Sequence, residues 1–171
     1  MSFTTIGIIG SSEENPELND IAEEMGKLIA QSAYSLVTGG KNGVMQAASR
    51  GAQFVDGKAE TSKVIGILPG FNKSESNEYV DISIPTGIGW ARNQQVILSS
   101  DVIVAIGGGA GTLSEIAFAW AYKKPIIAFE DIGGWSSKLA GEKIDPKRTD
   151  LIISVSTPSE AIQIIKELIN K

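Results

Sequence analysis

The residues most able to do chemistry in this sequence form a glycine-rich run that directly follows a near-continuous apolar stretch, Asp101 to Ile106. A backbone without Cβ atoms turns sharply and approaches a ligand closely, and the first N–H groups of a helix attract an anion. A tight turn would need one glycine, whereas this run has four. We therefore predict a phosphate-binding loop that consists of Gly108, Gly109, Ala110, Gly111 and Thr112, preceded by Gly107.

Two other loops carry residues that could reach the same ligand. One follows the first predicted strand, and the other follows the second strand and is as consistent with a structural turn as with a binding loop. No G-x-G-x-x-G pattern follows the first strand, and no lysine follows the main glycine run, so neither a standard NAD enzyme nor a P-loop ATPase is indicated. The predicted ligand-binding residues of these two loops are Gly10, Ser11, Ser12, Thr38, Gly39, Gly40 and Gly43.

The composition narrows the possible chemistry further. The sequence contains no histidine and no cysteine, which excludes Ser-His-Asp triads, thiolate catalysis and zinc sites of the Cys/His type. Carboxylates, arginine, lysine, tyrosine and backbone amides remain, and we expect no metal site and no required cofactor. The net charge of −5 argues against binding to DNA or RNA, although one pocket could still hold a phosphate. The expected partner is a small phosphorylated ligand.

The elements that must position these loops alternate between strands and helices along the chain. Apolar runs predict the strands, and apolar residues at helical spacing predict the helices between them. This alternation predicts one α/β domain over residues 1–171, a doubly wound, mostly parallel, Rossmann-like sheet of about seven strands with helices on both faces. The predicted strands are Thr5 to Gly10, Ser35 to Thr38, Lys63 to Leu68, Tyr79 to Ile84, Asp101 to Ile106, Pro125 to Phe129 and Leu151 to Val155.

Ligands of such sheets bind beyond the carboxyl ends of the strands, which is where all the glycine-rich loops fall. Residues 130–150 form a long connection that could cover this site or could simply follow the surface. No apolar run approaches the roughly 20 residues that span a bilayer, and no signal-type segment is visible. We therefore expect a cytoplasmic protein without a membrane partner. Helices are predicted after Asn15, after Gly43, from about Trp90 to Ser99, after Thr112 and after Thr157.

The main glycine run also resembles a known motif. Residues 108–115, read as G-G-A-G-T-L-S-E, resemble the P-G-G-x-G-T-x-x-E motif of the Lonely Guy proteins, which are cytokinin-activating phosphoribohydrolases. Arg92 precedes Glu115 by the spacing between the catalytic arginine and glutamate of that family, and residues 38–45 resemble its second-strand glycine loop. The resemblance covers about residues 5 to 130. The closer likeness is to a subgroup with G-G-G-A-G-T-L-S-E, which includes a molybdenum-cofactor carrier.

The resemblance implies that the chain hydrolyses a nucleoside 5′-monophosphate to the free base and ribose 5-phosphate, with Arg92 and Glu115 as the catalytic residues. A carboxylate can stabilise an oxocarbenium-like centre and orient water, and an arginine can hold a phosphate or sugar by forked hydrogen bonds. Taken alone, Glu115 could be the partner in a capping box, and Arg92 could be a surface residue near a helix start. The chain departs from the motif at Gly107, Asn93 and Ser114, where the family has proline, commonly lysine, and an acidic residue.

Three classes of function therefore stay open. The first is a nucleotide N-glycosidase, the second is a non-catalytic binder or carrier of a phosphorylated ligand, and the third is an assembly protein with a vestigial site. The possible ligands are an AMP-like nucleotide and the molybdenum cofactor. Because the related enzymes are homodimers, we expect a homodimer or higher homo-oligomer, and we place Trp90 and Trp120 in the core or in a subunit interface.

Overall fold

Seven short strands form one parallel sheet in the computed structural model, which describes residues 3–170. The sheet order is β4-β3-β2-β1-β5-β6-β7, and every neighbouring pair is parallel. The chain starts at the centre, builds outward to one edge, and then returns to add the other half beside β1. The strands are β1 Thr5–Gly10, β2 Ser35–Thr38, β3 Val64–Leu68, β4 Ile82–Pro85, β5 Val102–Ile106, β6 Ile126–Phe129 and β7 Ile153–Val155.

Within residues 3–170, six α-helices cover both faces of this sheet, which confirms the predicted doubly wound fold. The first, second and sixth helices pack on one face, and the third, fourth and fifth pack on the other, so each face has its own apolar core. The helices are α1 Pro16–Gln31, α2 Val44–Gln53, α3 Arg92–Leu98, α4 Ala110–Ala121, α5 Gly134–Leu139 and α6 Pro158–Ile169.

The capping signals in the sequence explain where two of these helices begin. The Asn15 side chain accepts a hydrogen bond from the backbone N–H of Leu18 (3.3 Å), and Pro16 occupies the first helical position of α1. Thr157 caps α6 in the same way, since its hydroxyl accepts the N–H of Glu160 at 3.2 Å. In the described part of the chain, no helix is long and apolar enough to cross a membrane.

Two regions differ most from the sequence-based prediction, and elsewhere β7 begins at Ile153 rather than Leu151 and α4 begins at Ala110 rather than after Thr112. Strand β4 begins at Ile82 rather than at Tyr79, because Asn77 makes a turn in which its side-chain oxygen accepts the N–H of Tyr79 at 3.1 Å. The long connection over residues 130–150 contains helix α5, which the sequence pattern did not predict. Helix α5 packs against β5 and β6, so this connection belongs to the layered fold.

Candidate functional site

A cavity of about 550 Å³ opens at the carboxyl end of the sheet, where β1 and β5 lie side by side. This is the point at which the strand order reverses, and ligands of doubly wound sheets bind there because two neighbouring loops diverge. Loops from both halves of the sheet line the cavity. Among the predicted residues, the lining includes Gly10, Ser11, Ser12, Gly39, Arg92, Gly108, Gly109, Ala110, Gly111, Thr112 and Glu115.

The loop after β5 presents backbone N–H groups to this cavity. Helix α4 begins at Ala110, and no side-chain hydrogen bond caps its first turn, so the first N–H groups of the helix are left for a ligand. Gly108 has a φ of +88°, and a Cβ atom there would lie 2.1 Å from the Thr112 hydroxyl oxygen. Only glycine fits this position, and the backbone can therefore curl over the start of the helix.

Helix α5 fixes the same loop from behind. The N–H groups of Trp135 and Ser136 donate to the carbonyl oxygens of Gly108 (3.0 Å) and Gly107 (3.2 Å). In return, the N–H of Gly107 donates to the hydroxyl of Ser136, which is fully buried, at 2.8 Å. These three bonds use the inward-facing polar groups of the loop, so its outward N–H groups stay free for the cavity. The role of Ser136 was not predicted from the sequence, because the Gly-Gly pair at which α5 begins is only a weak helix-start signal.

Arg92 and Glu115 meet at the cavity wall as a buried pair. The guanidinium Nη1 lies 3.6 Å from the Glu115 carboxyl oxygen, and the two side chains are 11% and 8% exposed. A second guanidinium nitrogen of Arg92 donates to the Gly39 carbonyl at 3.4 Å. A Cβ atom on Gly39 would lie 2.5 Å from that nitrogen, so glycine lets the guanidinium rest against the backbone of the β2 loop.

The purely structural interpretations of these two residues, a capping-box partner for Glu115 and a surface residue for Arg92, do not fit the geometry. Because α4 begins at Ala110, Glu115 lies beyond the first turn and cannot complete a capping box with Thr112. Arg92 begins α3, but its side chain turns inward to the cavity instead of lying on the surface. A buried ion pair is a costly way to hold two helices together, which favours a role in binding or catalysis.

Burial controls the protonation of this pair. It raises the pKa of Glu115 to about 8, and the neighbouring charge of Arg92 opposes this shift without cancelling it. Burial also lowers the pKa of Arg92, while the charge of Glu115 raises it. A carboxyl group with a pKa close to neutral pH can both give and take a proton, as general acid–base catalysis requires.

Two of the positions that depart from the Lonely Guy motif are in contact with each other. The Asn93 side-chain amide donates to the Ser114 hydroxyl at 3.0 Å, and that hydroxyl donates to the Gly111 carbonyl at 2.6 Å. Where the family pattern has a basic and an acidic residue, this chain has a neutral hydrogen-bonded pair. The two departures therefore compensate each other, and neither leaves an unpaired charge.

Three of the predicted ligand-binding residues do not line the cavity. The buried hydroxyl of Thr38 accepts the N–H of Gly40 at 3.0 Å, within the β2 loop. The N–H of Gly43 points at the Glu14 carboxylate, 3.4 Å away. The structure therefore gives these residues contacts inside the loop, and of the predicted residues there only Gly39 reaches the cavity.

Other lining residues were not assigned to the site from the sequence. Glu13, Asn15 and Lys41 add polar groups to the rim, and Lys41 also pairs with Glu75 at 3.3 Å. Trp90 lies at the mouth of the cavity and is 74% exposed, so it is not in the core, whereas Trp120 is buried as predicted. The positions of Glu13, Asn15 and Lys41 in loops after strands were visible in the sequence, but the directions of their side chains were not. In residues 3–170, no group of three acidic side chains comes together to hold a metal ion.

Comparison with known protein families gives one match that covers almost the whole chain. Residues 3–162 match the SLOG cluster4 family. Among individual proteins, a cytokinin riboside 5′-monophosphate phosphoribohydrolase from Mycobacterium tuberculosis is 25% identical over 176 residues, which cover 94% of this chain and 92% of that protein.

Two solved structures are similar over nearly their full length. The molybdenum cofactor binding protein from Rippkaea orientalis is 40% identical, with a TM-score of 0.84, and the match covers 99% of both chains. The molybdenum cofactor carrier protein from Chlamydomonas reinhardtii is 33% identical, with a TM-score of 0.81 and coverage of 98% of this chain and 99% of that one.

Proposed function

The chain belongs to the SLOG cluster4 family, within the Lonely Guy superfamily and its molybdenum-cofactor-carrier subgroup, and from this we propose that it binds a small phosphorylated ligand with a planar heterocycle. The observation that carries the proposal is the uncapped start of α4, which faces a cavity of about 550 Å³. Backbone N–H groups and the helix dipole favour a phosphate there. Arg92 lies on the same cavity and supplies the positive charge.

Ligand-dependent thermal stability tests this proposal. A ligand at about 100 times its Kd stabilises the folded protein by roughly 2.7 kcal/mol, which for a domain of this size raises the melting temperature by several degrees. AMP, GMP, CMP, ribose 5-phosphate and a pterin phosphate are the compounds to compare. If none of them changes the melting temperature, the proposed phosphate site is wrong.

For the fate of the ligand, the buried Arg92–Glu115 pair favours hydrolysis of the N-glycosidic bond. Water would form a bond to C1′ of the ribose as the bond to the base breaks, and the base would leave with a proton, giving ribose 5-phosphate. Glu115 would stabilise the positive charge that develops at C1′ and handle the proton, while Arg92 would hold the sugar or phosphate. Both residues line the cavity within 3.6 Å of each other.

This activity is tested by incubating the protein with nucleoside 5′-monophosphates and measuring the free base by chromatography. Arg92→Ala should lose both affinity and turnover, because a guanidinium contacts the ligand before the reaction. Glu115→Gln should still bind and should turn over slowly, because an amide can neither ionise to stabilise the charge at C1′ nor transfer a proton, and both roles act mainly on the transition state. A wild-type protein that binds the nucleotide but releases no base would exclude hydrolysis.

The second candidate function is that of a carrier, and a specific observation favours it. The two similar solved structures are a molybdenum cofactor binding protein and a molybdenum cofactor carrier protein, and both match this chain over almost its full length. As a carrier, the protein would keep a phosphorylated pterin intact through size-exclusion chromatography. The wild type would then release no free base from any nucleoside 5′-monophosphate, which separates this function from hydrolysis, and Glu115→Gln would reduce affinity only modestly.

We also infer that the chain forms a homodimer or a higher homo-oligomer. Trp90 and Leu98 are exposed apolar residues on the α3 side of the molecule, and Gln94 between them is hydrogen-bonded to the exposed Tyr122, which directly follows α4. An apolar surface that joins two helices in this way is typical of a subunit interface. Light scattering at micromolar concentration tests the inference, and a monomer would contradict it.

A further inference from the structure

A chain of hydrogen bonds connects the guanidinium of Arg92 to the phosphate-binding loop. The Arg92 Nη1 donates to the side-chain oxygen of Asn93 at 2.5 Å, and the Asn93 nitrogen donates to the Ser114 hydroxyl at 3.0 Å. The Ser114 hydroxyl donates in turn to the carbonyl of Gly111 at 2.6 Å. Asn93 is buried, so water cannot easily replace its partners.

The direction of each bond in this chain follows from what each group can donate. The guanidinium of Arg92 only donates, so the atom of Asn93 that faces it must be the oxygen. A hydroxyl has a single hydrogen, and Ser114 directs it to the Gly111 carbonyl, so towards Asn93 it can only accept. If the Asn93 amide were rotated by 180°, two donors would face each other at Arg92.

We propose that Asn93 and Ser114 are positioning residues: Ser114 fixes the orientation of the Asn93 amide, and the amide oxygen holds the Arg92 guanidinium towards the cavity. The proposal rests on the proposed function, because the group that is positioned is the one expected to contact the ligand. Both side chains are neutral, so the bond from Arg92 to Asn93 persists whether Glu115 is charged or protonated. The ligand-binding arginine then has a fixed place through both protonation states of its acidic neighbour.

Nitrogen-15 NMR of the arginine side chains tests this proposal without any ligand. The sequence contains three arginines, Arg50, Arg92 and Arg148, so the Arg92 Nε–Hε signal can be assigned with one Arg92→Lys sample. We expect this signal to report a rigid side chain in the wild type. In Ser114→Ala the Asn93 nitrogen loses its nearer acceptor and keeps only the longer bond to the Gly111 carbonyl at 3.5 Å, so the amide is held less firmly and the order of the Arg92 side chain should fall measurably.

Three further variants make the result specific. Ser114→Thr keeps the hydroxyl and should restore the order of Arg92. Asn93→Asp keeps an oxygen facing Arg92 and should also leave the side chain rigid. Ser100→Ala is the matched control, since Ser100 is a buried serine two residues after α3 whose hydroxyl donates to the Val96 carbonyl at 2.8 Å, outside the chain of bonds. It should leave the Arg92 signal unchanged.

The outcomes separate this proposal from the proposed function. If Arg92 stays equally rigid in Ser114→Ala, or if Ser114→Thr fails to restore its order, the positioning role is wrong whatever the protein binds. If Arg92 loses order as expected, the affinity for ribose 5-phosphate should fall about tenfold in Ser114→Ala and stay unchanged in Ser100→Ala. A wild type that does not bind ribose 5-phosphate would overturn the phosphate site and leave the NMR result standing.

Discussion

The loops after β5 and after β2 are both rich in glycine, and both follow parallel strands, yet the structure uses them in opposite ways. In the β5 loop, helix α5 occupies the inner polar groups of Gly107 and Gly108, and the N–H groups at the start of α4 face the cavity. In the β2 loop, Gly40 and Gly43 direct their N–H groups to Thr38 and Glu14. One loop leaves N–H groups unpaired at the cavity, and the other is satisfied by its own neighbours.

This contrast teaches that glycine content alone does not identify a binding loop. The β2 loop needs glycine for close packing, most clearly at Gly39, where the guanidinium of Arg92 takes the space of a side chain. The β5 loop needs glycine so that its backbone can turn over the start of a helix. The β2 loop therefore supports a residue of the site, whereas the β5 loop is proposed to hold the ligand.

The largest expected effect concerns the acid beneath the β5 loop. The pKa of Glu115 is raised from 4.5 to about 8 by burial, so the folded protein binds a proton there that the unfolded chain releases above pH 4.5. The stability from this group is complete below pH 4.5 and is lost as the pH rises through 8. The loss is about 1.4 kcal/mol for each pH unit, or roughly 3–5 kcal/mol in total.

Urea unfolding of the wild type and of Glu115→Gln between pH 5.5 and 8.5 measures this effect. The wild type should lose stability over this range, and Glu115→Gln should be nearly constant. The comparison is clean because the sequence has no histidine or cysteine that would titrate there. By contrast Glu75, which supports the β2 loop, has its pKa lowered, mainly by the N–H of Asn72, so Glu75→Gln should keep the wild-type slope. Equal slopes in the wild type and Glu115→Gln would contradict this prediction.

The second prediction compares one glycine from each loop. Gly108→Ala introduces a Cβ atom 2.1 Å from the Thr112 hydroxyl, and Gly40→Ala introduces one 2.6 Å from the Leu68 side chain. Both positions have positive φ angles, so each variant should lose about 1–2 kcal/mol of stability from backbone strain. Only Gly108→Ala should lose phosphate binding, by at least about 100-fold, or roughly 2.8 kcal/mol.

Calorimetric titration with ribose 5-phosphate, alongside urea unfolding, distinguishes the two variants. If both lose affinity equally, the difference between the loops disappears. If Gly108→Ala keeps its affinity while folded, the phosphate lies elsewhere in the cavity.

The sheet and most helices could be predicted from the sequence because their signals are local. Strand β5 is five consecutive apolar residues, and a run of this kind needs cover on both faces wherever it lies. The capping residues Asn15 and Thr157 likewise act on N–H groups only three residues away. Because the glycine run directly follows β5, the sequence also predicted that the cavity lies at the carboxyl edge of the sheet.

The remaining features depend on contacts between distant parts of the chain. Ser136 is 29 positions from Gly107, and Gly39 is 53 positions from Arg92, so no local pattern reveals either contact. The N–H of Gly43 points away from the cavity because it faces the carboxylate of Glu14, a residue that lies just before α1. A residue type in a loop thus shows which chemistry is available, but the direction of the group is decided by tertiary packing.

The third prediction tests whether the β2 loop acts only through Arg92. Gly39→Ala would place a Cβ atom 2.5 Å from a guanidinium nitrogen of Arg92 and 2.7 Å from the Met45 sulfur, so the guanidinium must move away from the position in which its neighbours hold it. The displacement should lower the affinity for ribose 5-phosphate about tenfold, which corresponds to about 1.4 kcal/mol. In an Arg92→Ala background the same substitution should have no further effect, because the group it displaces is gone. Additive losses of affinity would show that Gly39 contacts the ligand directly.

The smallest expected effect on binding comes from the anchor of the β2 loop. Asn77 is buried, its side-chain nitrogen donates to the Lys41 carbonyl at 2.9 Å, and its backbone N–H donates to the Gly40 carbonyl at 2.9 Å. Asn77→Ala removes the side-chain bond to Lys41 and the one that its side-chain oxygen accepts from the N–H of Tyr79, and it should cost about 1–3 kcal/mol of stability. Because this anchor holds the loop and not the ligand, the affinity for ribose 5-phosphate should change by less than about twofold, or 0.4 kcal/mol.

Asn77→Ala is a demanding test of whether the β2 loop binds the ligand, because of Lys41. The side chain of Lys41 lines the cavity, while the Lys41 carbonyl accepts the hydrogen bond from Asn77. If the lysine contributes to binding, loosening its backbone should lower the affinity for ribose 5-phosphate. A loss of affinity well above twofold would mean that both loops hold the phosphate. Lys41→Met then decides the source of any loss, because it removes the ammonium group and leaves the Asn77 bond intact. Unchanged affinity in both variants would confirm that the start of α4 and Arg92 account for binding without the β2 loop.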